Sequence, residues 1–350
     1  MNHRLLLVGL CLGLSCGLVF RAPQAVSARE NTGSQNHLMP EEISEGWIQL
    51  FDGESLFGWK GTPGIDWRVE EGEIRAEKGP IGGLFTNMEF ANYELKCDFK
   101  IDATTNSAVF VHSIFDPQNP VKECYEVNLC DQHPKFKTGG IVGIAPPQHF
   151  VPGAGGWKQM HLTVRGPKVQ VKIDRELVLD FEGKGDQARH VGLIGLQKNV
   201  GAVAFRNIFL KPLDQKQLFN GKDLTGWHLT PGGKSTFTAE EGAIHVKNGR
   251  GYLESDGTWK DFILQAEIFS NGEHLNSGIF FRSIKATEKL PAEGYEAQVR
   301  NEWKGSDRTK PVDFGTGAIY RRIATRKVVS SDFEWFTMTV AARVRRSASG

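Results

Sequence analysis

The segment Tyr93-Glu-Leu-Lys-Cys-Asp-Phe-Lys-Ile101 places an apolar residue at every odd position and a charged one at every even position. Side chains on an extended strand alternate between its two faces. This period of two therefore predicts a strand buried on one face and wet on the other. The same alternation runs through Val169-Gln-Val-Lys-Ile173 and through the positions of Leu162 and Val164. Turn signals separate such runs, among them Asp52-Gly53, Glu71-Gly72, Gly166-Pro167 and Asn220-Gly221. No long helical period follows the first 28 residues. The expectation is an all-β protein of short antiparallel strands, a sandwich or jelly roll.

The pattern occurs twice. Leu50-Phe-Asp-Gly-Glu-Ser-Leu-Phe-Gly-Trp59 matches Leu218-Phe-Asn-Gly-Lys-Asp-Leu-Thr-Gly-Trp227, and Asn106-Ser-Ala-Val-Phe110 matches Asn276-Ser-Gly-Ile-Phe280. Tyr125-Glu-Val-Asn128 matches Tyr295-Glu-Ala-Gln298, and Trp157 matches Trp335, all in one order. An insertion near Trp303–Lys310 accounts for the wider spacing late in the second copy. The expected organisation is a first β-sandwich over residues 46–212 and a second copy over 216–350. After Trp335 the second copy has no counterpart of Gly192-Leu-Ile-Gly-Leu-Gln197 or Val203-Ala-Phe-Arg-Asn-Ile208. A sandwich without those strands exposes core and an open edge. The second copy is therefore expected to be loosely ordered unless a partner completes it.

The chain opens with a basic head, Met1-Asn-His-Arg4, an apolar run from Leu5 to Phe20, and small residues at Ala25-Val-Ser-Ala28. This reads as a secretory signal peptide over residues 1–28, followed by a flexible lead-in over 29–45, and so as a secreted or periplasmic protein with no membrane partner after cleavage. A formal net charge of +1 gives no footprint for nucleic acid. Cys97, Cys124 and Cys130 remain after cleavage, an odd number that makes no disulfide framework. Cys124 and Cys130 lie about 20 Å apart along a strand, too far to bridge.

Leu50-Phe-Asp-Gly53 with Gly58-Trp59, Asn276-Ser-Gly-Ile-Phe-Phe-Arg282, Tyr295-Glu-Ala-Gln298 and Gly195-Leu-Gln197 with Phe205-Arg-Asn-Ile208 together resemble the 3-keto-disaccharide hydrolase domain family. The resemblance covers residues 46–212 fully and 216–342 in part. It implies a concanavalin A-like jelly-roll sandwich, with a small-molecule or oligosaccharide substrate that is an oxidised sugar. The family commonly has Arg where the first copy has His112, a residue the second copy keeps as Arg282. It also reads Gln-Asp-His-Gly where this chain has Gln197-Lys-Asn-Val-Gly201.

Strand alternation sends Tyr125, Val127 and Leu129 to one face, and Glu126 and Asn128 to the other. On the neighbouring strand it groups Phe110 with His112. The second copy repeats this with Glu296, Gln298, Phe280 and Arg282. A carboxylate, an amide, an aromatic ring and a cation on one sheet face suit a sugar, whose C–H groups pack on rings and whose hydroxyls bond amides and carboxylates. The expected catalytic residues are Glu126, His112, Glu296 and Arg282. Asn128, Asp131, His133, Phe110, Gln197 and Gln298 are expected to bind substrate. Arg206 is read as structural. No cofactor is expected. Glu126, Asp131, His133 and His112 have no spacing that argues for a metal or divalent cation. Glu123 and Glu126, read as three apart on one strand, would face opposite sides and so could not form a glucanase carboxylate pair.

Overall fold

The computed structural model describes residues 35–284 and 293–344. The signal-peptide reading of residues 1–28 and the first part of the lead-in lie outside them. The first half contributes β1 (Ile48–Gln49), β2 (Trp59–Gly61), β3 (Arg68–Glu70), β4 (Glu73–Ala76), β5 (Gly82–Phe90), β6 (Tyr93–Ile101), β7 (Ser107–Ser113), β8 (Tyr125–Leu129), β9 (Gly156–Arg165), β10 (Lys168–Ile173), β11 (Glu176–Glu182), β12 (Gly192–Lys198) and β13 (Val203–Pro212). The second contributes β14 (Trp227–Leu229), β15 (Thr236–Glu240), β16 (Ala243–Lys247), β17 (Leu253–Ser255), β18 (Phe262–Phe269), β19 (Ser277–Ile284), β20 (Glu293–Val299) and β21 (Trp335–Ala342). The protein is nearly all-β, a jelly-roll sandwich, and every strand pairing is antiparallel. Among the described residues no helix is long and apolar enough to cross a membrane.

In the first half an eight-stranded sheet runs β11-β10-β9-β6-β13-β4-β3, with β1 on β13, and a five-stranded sheet runs β2-β5-β12-β7-β8. The odd residues of β6, from Tyr93 to Ile101, point inward as their alternation predicts. With Leu162, Val171 and Phe205 they meet Leu84, Val109, Val127 and Leu196 of the facing sheet in one apolar cluster. Each such fully buried aliphatic side chain stabilises the fold by about 1.5–3 kcal/mol. Cys97 is sealed in this core, Cys124 lies buried on the outer side of the smaller sheet, and among the described residues neither they nor Cys130 form a disulfide. Arg206 lies over the Trp157 ring at 4.0 Å and faces Asp98 at 3.7 Å, a structural position on the outer face of the larger sheet.

Among the described residues the second half has four two-stranded sheets: β14-β17, β15-β16, β18-β21 and β19-β20. Its buried apolar cluster is small, made of Ala297, Val299, Met338 and Val340. Charged side chains tie it to the first half. Arg326 donates to Ser55 Oγ at 2.7 Å and to Asp52 Oδ2 at 2.5 Å, and Lys327 faces Glu54 at 3.3 Å.

Candidate functional site

The outer face of the smaller sheet of the first half carries Glu126, Asn128, Phe110 and Gln197, four of the residues expected from sequence. Cross-strand register aligns Phe85 of β5, Gly195 of β12, Phe110 of β7 and Glu126 of β8 in one row. Ala108 and Asn128 pair in the next row on the same face. Gly195 has to be small, because a Cβ there would stand 2.6 Å from the Phe85 ring and 2.9 Å from Phe110. The two rings close over it, stacked 5.7 Å apart and nearly parallel. A glycine inside a strand marks such close approach, and that signal could have revealed Phe85, which sequence reasoning missed.

Glu126 is buried, with 7% of its surface exposed. Gln197 Nε2 donates to its Oε1 at 2.8 Å. Burial pushes the Glu126 carboxyl above its ordinary value, and the Gln197 bond only partly opposes the shift. Asn128 donates through Nδ2 to the Phe136 carbonyl. Its Oδ1 and the Gln197 Oε1 are buried and receive no hydrogen bond. The second half repeats this. Gln298 Nε2 donates to Asn276 Oδ1 at 3.2 Å, and Gln298 Oε1 is again buried without a donor. Burial, then the nearby Asp313 charge, raises the Glu296 carboxyl as well. A buried acceptor without a partner costs about 1–3 kcal/mol. The orphaned amide oxygen recurs at one position of both copies, Asn128 and Gln298.

The structure thus brings Glu126, Asn128, Gln197 and Phe110 onto one face, and separates others from it. His112 is turned away. Between Phe110 and Ser113, β7 carries one residue more than the facing stretch of β12, and His112 takes up the difference at φ 50°. Such a bulge re-aims a side chain. The imidazole lies against Tyr93 and Tyr125, with Nε2 2.9 Å from the Ala91 carbonyl and Nδ1 3.1 Å from that of Arg189. Burial lowers its pKa. Arg282 takes the same turn at φ 49° and faces Asp261 at 3.7 Å. The cations that act on Glu296 are instead Arg250 and Arg321.

Asp131 and His133 serve their loop. Asp131 accepts from Thr138 Oγ1 at 2.6 Å and from the N–H groups of Gly153 and Ala154, and His133 Nδ1 accepts from those of Lys135 and Phe136. Phe110 is 3% exposed and spends its ring face on Phe85, so it offers no open platform for stacking. Glu123 closes a helical turn, Pro120–Glu123, and does not lie on the strand of Glu126. A cavity of about 250 Å³ opens elsewhere, on the larger sheet beside Arg68, Arg75 and Lys100, and no residue expected from sequence lines it. Among the described residues no three His, Cys, Asp or Glu side chains converge as a metal site would need.

A model of the 3-keto-alpha-glucoside-1,2-lyase-like domain matches residues 46–211 and again 214–348. A 3-keto-disaccharide hydrolase of Bacteroides thetaiotaomicron is 26% identical over 234 residues, covering 49% of this chain and 80% of that protein. Among solved structures, a candidate glycosyl hydrolase from Parabacteroides distasonis is 26% identical with a TM-score of 0.45, covering 52% of this chain and all of that one. A carbohydrate-binding module from Bacillus subtilis is 16% identical with a TM-score of 0.35, covering 44% of this chain and 95% of the module.

Proposed function

The chain belongs to the 3-keto-alpha-glucoside-1,2-lyase-like domain family, and from that premise we propose that it is an exported hydrolase cleaving glycosidic bonds of 3-keto-disaccharides or related 3-keto-glycosides. The chain is carbohydrate-active by kinship, and the reaction is assigned to the first half. The observation that carries the reading is the buried Glu126 carboxyl, held by Gln197 beside the two amide oxygens that lack donors.

A ketone at C3 of a sugar acidifies the proton on C2. Glu126 as carboxylate takes that proton, and the electron pair left on C2 delocalises into an enolate. As the enolate collapses, the C1–O bond breaks and a C1–C2 double bond forms. The departing oxygen then receives the proton that Glu126 holds. Water adds across the double bond, so the net result is hydrolysis. Asn128 Oδ1 and Gln197 Oε1 accept sugar hydroxyls and fix the ring. A buried carboxyl with a raised pKa suits the work, because one group must be base in the first step and acid in the next.

The test uses the full chain and a 3-keto-disaccharide, following release of free sugar. Glu126→Gln is expected to lower turnover about 10²-fold or more while sugar affinity by calorimetry holds within a few-fold. Turnover equal to the parent's removes Glu126 from the chemistry. A second reading, a sugar-binding sandwich without turnover, draws on the placement of His112 in the core, which leaves Glu126 without an imidazole beside it. It predicts tight sugar binding and no release by parent or variant.

A further inference from the structure

The smaller sheet of the first half is covered on both faces. A sheet packed on a core by one face leaves the other wet, and β10 of the larger sheet keeps that alternation. β7 and β8 do not, because every residue of both is buried. The row through Gly195 has a fifth member. Lys60 of β2 pairs with Phe85, so one line across the five strands reads Lys60, Phe85, Gly195, Phe110, Glu126. Four strand spacings put its two ends about 19 Å apart. Phe85 and Phe110 are rings on which a sugar could pack, and both are closed off.

Part of the cover is the segment of residues 114–119, which joins β7 to the helical turn Pro120–Glu123. Its Phe115 meets Phe85 edge to face, with ring centroids 5.4 Å apart and planes at 64°. Phe115 packs against the buried group of Phe85, Phe110 and Cys124. The Lys60 ammonium lies 4.1 Å from the centre of the Phe115 ring. Thr62 Oγ1 accepts from the Gly83 N–H and donates to Asp116 Oδ1 at 3.1 Å. This hold is narrow, and Ile114, Gln118 and Asn119 are exposed. Other hydrogen bonds stay within the segment or run to the turn that follows it. Gln118 Nε2 donates to the Asp116 carbonyl, the Asn119 N–H to the Glu123 carboxylate, and the Ile114 N–H to the Glu123 carbonyl. Asp116 stands at φ 53°, a left-handed conformation that costs any residue other than glycine. A segment held by one ring edge, one cation and one hydroxyl opens more easily than the strands beneath it.

We propose that residues 114–119 are a lid on the sugar face, and that its lifting opens the Phe85 ring to a sugar and frees Lys60 to bind sugar hydroxyls. The proposal rests on the reading that Glu126 works on a 3-keto-sugar. Two contacts change partner as the lid lifts. Phe85 exchanges the Phe115 edge for sugar C–H groups, and Lys60 exchanges the Phe115 face for sugar oxygens. A saccharide that runs from Glu126 along the row to Lys60 gains both contacts, and a single ring held at Glu126 does not reach Lys60. The lid also gives substrate a way into a site whose Glu126, Asn128, Gln197 and Phe110 are all buried in the closed form.

The probe is the Cys124 thiol, which lies in the covered cluster and donates to the Pro120 carbonyl at the foot of the lid. Burial, then the Glu126 charge, pushes that thiol above its usual range, so the closed form reacts slowly. The full chain is treated with iodoacetamide, and alkylation is followed at each cysteine by peptide mass spectrometry. Cys97, sealed in the core, counts global unfolding. Asp116→Ala releases Thr62 but keeps the Phe115 ring. This variant and Phe115→Ala are each expected to speed Cys124 alkylation several-fold, with Cys97 unchanged. A lid that must lift before binding lowers apparent affinity by the open fraction. Asp116→Ala is therefore expected to bind a 3-keto-disaccharide several-fold more tightly than the parent. Lys60→Met should speed alkylation too, yet gain no affinity, because it removes a sugar contact. Cys124 alkylation that is unchanged in the lid variants, or that rises only in step with Cys97, overturns the lid. If the parent binds sugar and Asp116→Ala binds it no better, the role in admission is overturned. Faster alkylation with no sugar binding by any chain sinks the 3-keto-sugar reading and leaves the lid standing.

Discussion

Glu126 carries an energetic signature that can be read without substrate. Burial raises its carboxyl above the ordinary range, so the folded chain holds that proton to higher pH than the unfolded chain does. Its effect on stability is most favourable below the unfolded pKa of about 4.3 and turns into a penalty as pH rises through the folded value. Glu126→Gln has no charge to desolvate. Its melting temperature is expected to exceed the parent's by a margin that grows from about pH 4 to pH 7 and vanishes below about pH 4. Thermal melts across that range check the sign, and a margin that shrinks towards neutrality contradicts it. If Glu126 is the base, the acid limb of the rate profile moves up with the same pKa. Asp131 stands in contrast. Its carboxylate is saturated by Thr138, Gly153 and Ala154. Asn301, its counterpart, likewise accepts from Thr316 at 2.6 Å. A residue whose acceptors are all taken by its own loop has none left for a sugar.

Strands were legible because their physics is local. The alternation through Tyr93–Ile101 names the inward residues of β6 without error, and it sends Tyr125, Val127 and Leu129 into the core and Glu126 and Asn128 outward. Gln197, read from kinship, does reach Glu126. His112 and Arg282 were misplaced because a strict period of two has no room for an extra residue, and no proline or glycine announces the bulge. Phe110 was placed on the right face, but its burial depends on Phe85, a partner two strands away through Gly195. That contact is testable. Gly195→Ala puts a Cβ 2.6 Å from the Phe85 ring and is expected to cost about 1–3 kcal/mol, read as a lower denaturant midpoint. An unchanged midpoint would mean that the stacked pair moves aside freely.

On the scale of the whole molecule, the two halves touch through charge as well as apolar contact. Burial raises the Asp52 carboxyl, but Arg326, the N–H groups of Glu54 and Ser55, and the Ser55 hydroxyl outweigh it and hold the group below its usual value. A depressed pKa contributes stability that is present above the unfolded value and lost as pH falls. Exposed pairs of this kind are worth about 0–1 kcal/mol each and weaken with salt. Arg326→Ala is therefore expected to leave the first half's melting temperature within a degree or two, and to increase hydrogen exchange at the Asp52–Ser55 turn, as acid below about pH 4 does in the parent. Exchange unchanged in both cases would show that the turn stands alone. The kink shared by His112 and Arg282 has a different consequence. An ancestral single unit that already bent at this point would have passed the bend to both descendants, each then free to change the residue that rides on it. Beyond it the parity of the strand is inverted, so in each copy inside and outside are exchanged past that point before residues are assigned to a face.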